Sequence, residues 1–215
     1  IESIKNNTSV KVFLNVTSDK CYLNANEGKK FDEMDSLGGL DPYSASKACS
    51  EILHNAYMHS FFLERINELD FGAATARSGN VIGGGDWSYN RLIPDLVRSV
   101  QSGEHIDIRY PNATRPFQFV LEPISAMLWI SANMNKDPKL FSTAWNVGPD
   151  KKFGKIKVKT LVPKIIKEWG NGTWTIKVDK TQKSHHESKI LMLDSSKIKN
   201  LLKWNPTFSI NDAIK

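Results

Sequence analysis

The stretch Val10-Lys11-Val12-Phe13-Leu14-Asn15-Val16-Thr17-Ser18-Asp19-Lys20 decides how the chain is read. Val10 to Val16 is short, β-branched and aromatic, and nearly all apolar, which is how a strand buried in a parallel sheet reads. It gives way at once to four polar residues, Thr17 to Lys20, at the carboxyl edge where open α/β sheets bind their ligands. A loop rich in Asn, Gly and Asp runs to Leu40. Asp41-Pro42-Tyr43 then predicts a helix start, with Asp as N-cap and Pro at the first helical position. Ala45, Cys49, Ile52, Leu53 and Ala56 follow the three-and-four spacing of an amphipathic helix to about Leu63, and that stripe is expected to face the core. Phe71 to Ala76 reads as the next strand. Strand, helix, strand is a βαβ unit, hence a parallel sheet with a right-handed crossover.

Beyond Arg77 the texture changes. Gly79 and Gly83-Gly84-Gly85 mark loops, Arg91 to Val100 predicts a helix and His105 to Arg109 a short strand. Glu122 to Met134 predicts an apolar helix through Ile124, Met127, Leu128 and Ile130, and Ala144 to Val147 another short strand. Ile156 to Trp169 is helix-like, with a kink or break expected at Pro163. Thr173 to Val178 alternates like a half-exposed strand, and Ser195 to Leu202 reads as a short capped helix. Phe208-Ser209-Ile210-Asn211-Asp212 opens one more helix at the end of the sequence.

The 215 residues suffice for one sizeable core or one and a half ordinary domains. With 40% hydrophobic, 24% charged and 10% aromatic residues, disorder and low complexity are poor classes. No run approaches the roughly 18 apolar residues of a membrane helix. Two cysteines, Cys21 and Cys49, exclude a disulfide scaffold and suit a reducing, cytoplasmic setting; both are expected to be buried and free. The net charge of +6 is uneven: residues 151–203 hold 14 lysines against four acids, leaving the remainder of the chain acidic. Those lysines are spread without arginine clusters or a nucleic-acid motif, so a solvated basic surface is expected rather than nucleic-acid binding. A phosphate-bearing small ligand would also suit such a region.

Tyr43-Ser44-Ala45-Ser46-Lys47 puts a phenol and an ammonium four residues apart on one helix face. An ammonium beside a phenol favours the phenolate, so such a pair can serve as a base. On spacing alone the pattern commonly means surface packing, but here it opens a helix beside a strand ending in Thr17 and Ser18. His185-His186-Glu187 is a poor metal site, because adjacent residues of a strand point to opposite faces and no third ligand follows at a recognisable spacing.

Three features together, the strand ending Thr17-Ser18-Asp19-Lys20, the Tyr43/Lys47 pair and the strand ending Arg77-Ser78-Gly79-Asn80-Val81, resemble the extended short-chain dehydrogenase/reductases. More narrowly, Asn15 to Tyr22, Leu37 to Ser44, Gly79 to Trp87 and Arg115 to Pro123 are similar to the CDP-glucose 4,6-dehydratases. Trp145 to Pro149 and Leu202 to Pro206 extend the likeness over essentially the whole chain. The resemblance implies an α/β fold: part of a Rossmann-like parallel sheet, its first strands missing, with a smaller α/β C-terminal substrate lobe. Residues 1–78 would be the second half of the NAD-binding domain, and 79–215 mainly the sugar-nucleotide lobe, with 116–150 partly returning to the sheet.

It further implies a lyase that dehydrates CDP-glucose to the 4-keto-6-deoxy sugar through transient reduction of NAD, in lipopolysaccharide biosynthesis. Tyr43 would be the base at the C4 hydroxyl, and Lys47 would hold the nicotinamide ribose. Ser18, or its neighbour Thr17, would bond the C4 oxygen, and Asp19 would protonate the departing C6 hydroxyl. Lys20 stands where dTDP-glucose dehydratases place a glutamate as base at C5; it either takes that role or merely pairs with Asp19. Asn80, Arg115, Asn146 and His186 match positions that touch the nucleotide diphosphate, and Gly83-Gly84-Gly85 would form a substrate loop. The resemblance implies no metal and no membrane, and a homo-oligomer when full length. The family's glycine-rich dinucleotide turn is absent, so the chain is expected to be the later part of a longer enzyme and inactive alone. Rival expectations are a sugar-nucleotide epimerase, a dTDP- or UDP-sugar dehydratase, or a non-catalytic basic binding module.

Overall fold

The computed structural model describes residues 1–24, 28–108, 110–149, 155–176 and 191–215. In chain order the elements are α1 (Glu2–Lys5), β1 (Val12–Val16), β2 (Lys30–Phe31), α2 (Pro42–Tyr57), α3 (Leu63–Asn67), β3 (Gly72–Ser78), β4 (Val81–Ile82), α4 (Leu92–Ser102), β5 (Ile106–Ile108), β6 (Thr114–Pro116), β7 (Gln118–Phe119) and α5 (Leu121–Lys136). There follow α6 (Pro138–Phe141), β8 (Ala144–Val147), β9 (Lys155–Lys157), α7 (Val158–Trp169), β10 (Trp174–Ile176), β11 (Met192–Leu193), α8 (Ser196–Leu202) and α9 (Ile210–Ile214).

The expected βαβ unit is present. β1 pairs parallel with β3, Val12 opposite Gly72 through Val16 opposite Ala76, and β3 pairs parallel with β8, Thr75 opposite Ala144. The sheet order is β1-β3-β8. Its helical layer includes α5 and α8, whose Ala126, Ile130, Met134, Ile198 and Leu202 pack with Ala74, Ala76, Trp145 and Val147. Residues from 121–147 therefore pack with the sheet, and so do α8 and Trp204.

The second core lies around α4 and α7. Leu96, Val100, Ile106, Ile108, Leu161, Val162, Ile165 and Ile166 form it, each worth about 1.5–3 kcal/mol on burial. Two short parallel pairs, β4 with β7 and β5 with β10, and one antiparallel pair, β6 with β9, frame it. Gly103, with φ of 70°, ends α4 in the left-handed conformation that glycine adopts without steric cost.

Several expectations are corrected here. α7 runs unbroken from Val158 to Trp169 with Pro163 inside it; its buried residues on both sides of the proline hold the two halves against one core. On α2 the buried residues are Ser44, Ala48, Glu51 and His54, whereas Ile52 and Leu53 of the expected apolar face are about half exposed. The polar face turns inward because the strands beside it offer hydrogen-bonding partners, described below. On α5, Ile130 is buried as expected but Ile124 and Leu128 are exposed, their places taken by Ala126 and Met134. Cys21 is buried, but Cys49 lies exposed on the outer face of α2; both are free. The α2 helix passes through a π turn at Met58–Phe62 into α3. Among the described residues, no helix is long and apolar enough to cross a membrane.

Candidate active site

Two elements meet at the carboxyl end of β1. Thr17, Ser18 and Asp19 leave the strand buried, and Asp19–Cys21 form one 3-10 turn. This turn packs against α2, whose N-terminus is built as the sequence predicts: the Asp41 carboxylate accepts from the Ser44 amide (2.9 Å) and from the Ser44 hydroxyl (2.6 Å). Gly39 lets the incoming loop lie on that N-terminus, since a Cβ there would fall 2.4 Å from the Ala45 nitrogen. Tyr43 is thus fixed on the first turn, 55% exposed, with the Lys47 ammonium 5.7 Å from its ring centroid.

Asp19 is the most unusual group. Its carboxylate is buried; Oδ1 accepts from the Ser18 hydroxyl at 3.0 Å, and Oδ2 has no hydrogen-bond partner among the described residues. Burial raises its pKa to about 6, against the opposing pull of Lys20, Ser18 and Arg115. A Cβ on Gly79 would come within 3.0 Å of Oδ2, so the glycine keeps that oxygen clear of side-chain atoms. A buried acid titrating near 6 keeps about a tenth of its proton at pH 7, and so can donate one. The Lys20 ammonium acts on both Asp19 and Asp41, yet no carboxylate among the described residues lies within ion-pair reach of it.

Arg115, buried on β6, acts on Asp19 from the second lobe and also donates to the Thr114 carbonyl at 3.1 Å. Asn80 is exposed at the end of β3, its carbonyl accepting from the Gln118 amide at 3.0 Å. The Gly83-Gly84-Gly85 segment opens a largely exposed loop extending to Asn90. His186 lies outside the described residues, as do His185 and Glu187. Among the described residues no group of three or more His, Cys, Asp or Glu is placed to hold a metal.

Asn146 departs from expectation. It is fully buried on β8, its amide donating to the Phe31 carbonyl (2.9 Å) and accepting from the Tyr22 hydroxyl (2.7 Å). Its polar atoms are spent inside the protein rather than offered to a nucleotide. Thr17 also turns inward, its hydroxyl donating to Glu51. Both belong to a buried network that sequence reasoning missed. Arg77 donates to Glu51 (2.8 Å), to the Tyr22 hydroxyl (2.7 Å) and to the Glu33 carbonyl (3.2 Å); Thr75 donates to Glu51 (2.9 Å) and the Asn146 amide N–H to the Glu33 carboxylate (2.8 Å). Burial opposes the Arg77 charge, but Glu51 and Tyr22 more than offset it. Burial, with the nearby Glu51 and Asp19 adding to it against the pull of Arg77, pushes Cys21 up to about 12, an inert thiol. The one available signal was spacing: Glu51 follows Lys47 by four residues and Tyr43 by eight, a polar stripe on one helix face.

The chain is similar to several known proteins. The CDP-glucose 4,6-dehydratase of Salmonella typhimurium strain LT2 is 37% identical over 216 residues, covering all of this chain and 59% of that protein. The chain thus spans about three-fifths of the length of that relative. The fold matches the dTDP-glucose 4,6-dehydratase of Bacillus anthracis, solved in complex with NAD (TM-score 0.76, 20% identity, 99% of this chain and 62% of that one). It also matches the UDP-glucuronic acid 4-epimerase of Bacillus cereus, solved with UDP-glucuronic acid and NAD (TM-score 0.77, 18% identity, 99% and 62%). The family model described as GDP-mannose 4,6 dehydratase matches residues 1–215, and the chain belongs to that family.

Proposed function

We propose that this chain supplies the catalytic helix and the sugar-nucleotide lobe of an NAD-dependent CDP-glucose 4,6-dehydratase. The observation that carries the reading is Asp19: a buried carboxyl with a clear oxygen and a pKa of about 6, on a turn packed against the helix of Tyr43 and Lys47. The 37% identity to the Salmonella enzyme supports CDP-glucose as the substrate.

The residues suit NAD in their donor chemistry, since exposed Tyr43 and partly exposed Lys47 lie beside the carboxyl edge of the sheet. When bound, NAD supplies the acceptor that oxidises C4 and later the donor that reduces C6. Lys47 binds the nicotinamide ribose, and Tyr43 takes the proton of the C4 hydroxyl. Ser18, whose hydroxyl proton turns away from Asp19 when that carboxyl is protonated, donates to the C4 oxygen as it becomes a carbonyl, which acidifies the C5–H bond. Lys20 removes the C5 proton and returns it to C5 when C6 is reduced, and Asp19 protonates the C6 hydroxyl as it leaves as water. Arg115 holds the diphosphate, whose charge its planar guanidinium can meet with two parallel hydrogen bonds; Asn80 contacts the nucleotide from the end of β3. Activity requires the glycine-rich dinucleotide turn, which this sequence does not contain.

The test joins the chain to a dinucleotide-binding segment and supplies CDP-glucose and NAD, following the 4-keto-6-deoxy product by mass. Product is expected, with Lys20→Met blocking elimination while C4 oxidation persists. Turnover of UDP- or dTDP-glucose instead would overturn the CDP assignment, and full activity of Lys20→Met would remove Lys20 from the mechanism.

A further inference from the structure

Thr17 and Ser18 are neighbours with opposite directions. The Ser18 hydroxyl donates to Asp19 (3.0 Å) and accepts from the Lys20 amide (3.2 Å), organising the turn itself. The Thr17 hydroxyl turns the other way, into the interior, and donates to Glu51 Oε1. Glu51 is itself immobilised, because its second oxygen accepts from Thr75 on β3 (2.9 Å) and from Arg77 (2.8 Å), with both charged side chains of that ion pair at most 5% exposed. The Thr17 amide donates to the Ala76 carbonyl at 2.9 Å, so backbone and side chain anchor this residue to two different elements.

We infer that Thr17 is a positioning residue: through Glu51 it locks the Ser18-Asp19-Lys20 turn in register with the helix that carries Tyr43 and Lys47. The inference rests on the reading of those residues as catalytic. Its physical reason is that two sets of groups must act on one sugar ring. The C4 step uses the helix, whereas the C5 and C6 steps use the turn. The turn packs against α2; Asn15 Nδ2 reaches the Ser50 hydroxyl (3.3 Å) from within β1, and the bond that Thr17, next to the turn, directs to a fixed atom of the helix sets the turn's separation from it. Glu51, one helical turn beyond Lys47, is that atom's carrier. A misplacement of about 1 Å costs about 100-fold in a step that depends on alignment.

The test compares Thr17→Val, which keeps the shape and loses the hydroxyl, with Thr17→Ser, which keeps it. In the full-length enzyme with NAD and CDP-glucose, Thr17→Val is expected to lower product formation about 10- to 100-fold. The amount of reduced nicotinamide standing per product formed should rise, because oxidation at C4 outruns elimination. Thr17→Ser should stay within about threefold of the parent. Independently of activity, amide hydrogen exchange at Lys20 and Cys21 should accelerate in the valine variant and not in the serine one. Thr75→Val, which removes another Glu51 donor without touching the turn, should lower stability and leave the ratio of reduced nicotinamide to product unchanged. Should Thr17→Val not fold, Thr17→Cys, with its weak donor, gives the same comparison in milder form.

A valine variant with parental rates and exchange overturns the inference. So does one that loses stability and activity with no change in that ratio or in exchange at the turn. Absence of product from the parent enzyme with any nucleotide sugar would instead defeat the functional reading, while the exchange measurement would still judge the anchor.

Discussion

Around the sheet, large apolar residues such as Ile130, Met134, Trp145 and Ile198 share the interior with small and polar ones: Ala73, Ala74, Ala76 and Ala126 beside Thr17, Glu51, Thr75, Arg77 and Asn146. Around α4 and α7 they are large and aliphatic: Leu96, Val100, Ile106, Ile108, Leu161, Val162 and Ile165. Most buried ionisable side chains among the described residues sit on the sheet side, with Arg115 at the border. The difference teaches how the two halves are held. The lobe is stabilised by non-directional apolar burial, which tolerates small shifts. The sheet half adds to its own apolar core a network of directed hydrogen bonds, which fix angles and separations, and it is the half that carries Tyr43, Lys47 and Asp19.

The comparison breaks hardest at Glu51. Glu51→Ala leaves the Arg77 guanidinium buried without its carboxylate and should destabilise the protein by about 3–5 kcal/mol in urea unfolding. Leu161→Ala, in the fully buried centre of the other core, should cost about 2–5 kcal/mol through its cavity. Its effect should stay in the lobe, with amide exchange at the Asp19–Cys21 turn unchanged, whereas Glu51→Ala should loosen that turn.

Asp19 sharpens the contrast in the opposite direction. A carboxyl raised from 3.8 to about 6 by burial favours the folded state when protonated, so its contribution grows as pH falls from about 6 toward 4. His54, lowered from 6.5 to about 4 chiefly by burial, does the reverse: its contribution is lost as pH falls from 6.5 toward 4. The two effects oppose each other in the same window. Asp19→Asn should therefore stabilise the protein at pH 7 by up to about 3 kcal/mol while abolishing dehydration. It should also uncover a steeper loss of stability between pH 6.5 and 4, read from melting temperature against pH. A variant no more stable than the parent at pH 7 would contradict the account of Asp19.

The smallest effect is expected at Ser209, which with Asp212 forms a capping box at the start of α9. Ser209→Ala should cost about 1 kcal/mol and leave the sheet half untouched.

How legible each part was follows from these two materials. β1, β3 and β8 could be read because their apolar runs lie between clear stops, and α2 because Asp41 and Pro42 mark its start. Tyr43 and Lys47 stood out by their spacing on one helix, and Asp19 by the resemblance its motif carries. The inward face of α2 did not, since helical periodicity assumes that the apolar stripe faces the core, and here Ile52 and Leu53 face out. Pro163 misled for a related reason: local propensity was overridden by a core packed on both sides of it. Asn146 looked like a ligand because nothing in the sequence tells a strand-end amide offered outward from one bonded to Phe31 and Tyr22.

By itself the sequence determined the element order, the parallel sheet and the placement of polar residues at the strand ends, because these follow from periodicity and caps within short windows. Tertiary structure alone decided the pairing of Glu51 with Arg77, the turn of the Thr17 hydroxyl to Glu51, and the burial that lifts Asp19 to about 6. Those features depend on contacts between residues 26 and 34 positions apart, and on a loss of solvent that no local pattern encodes.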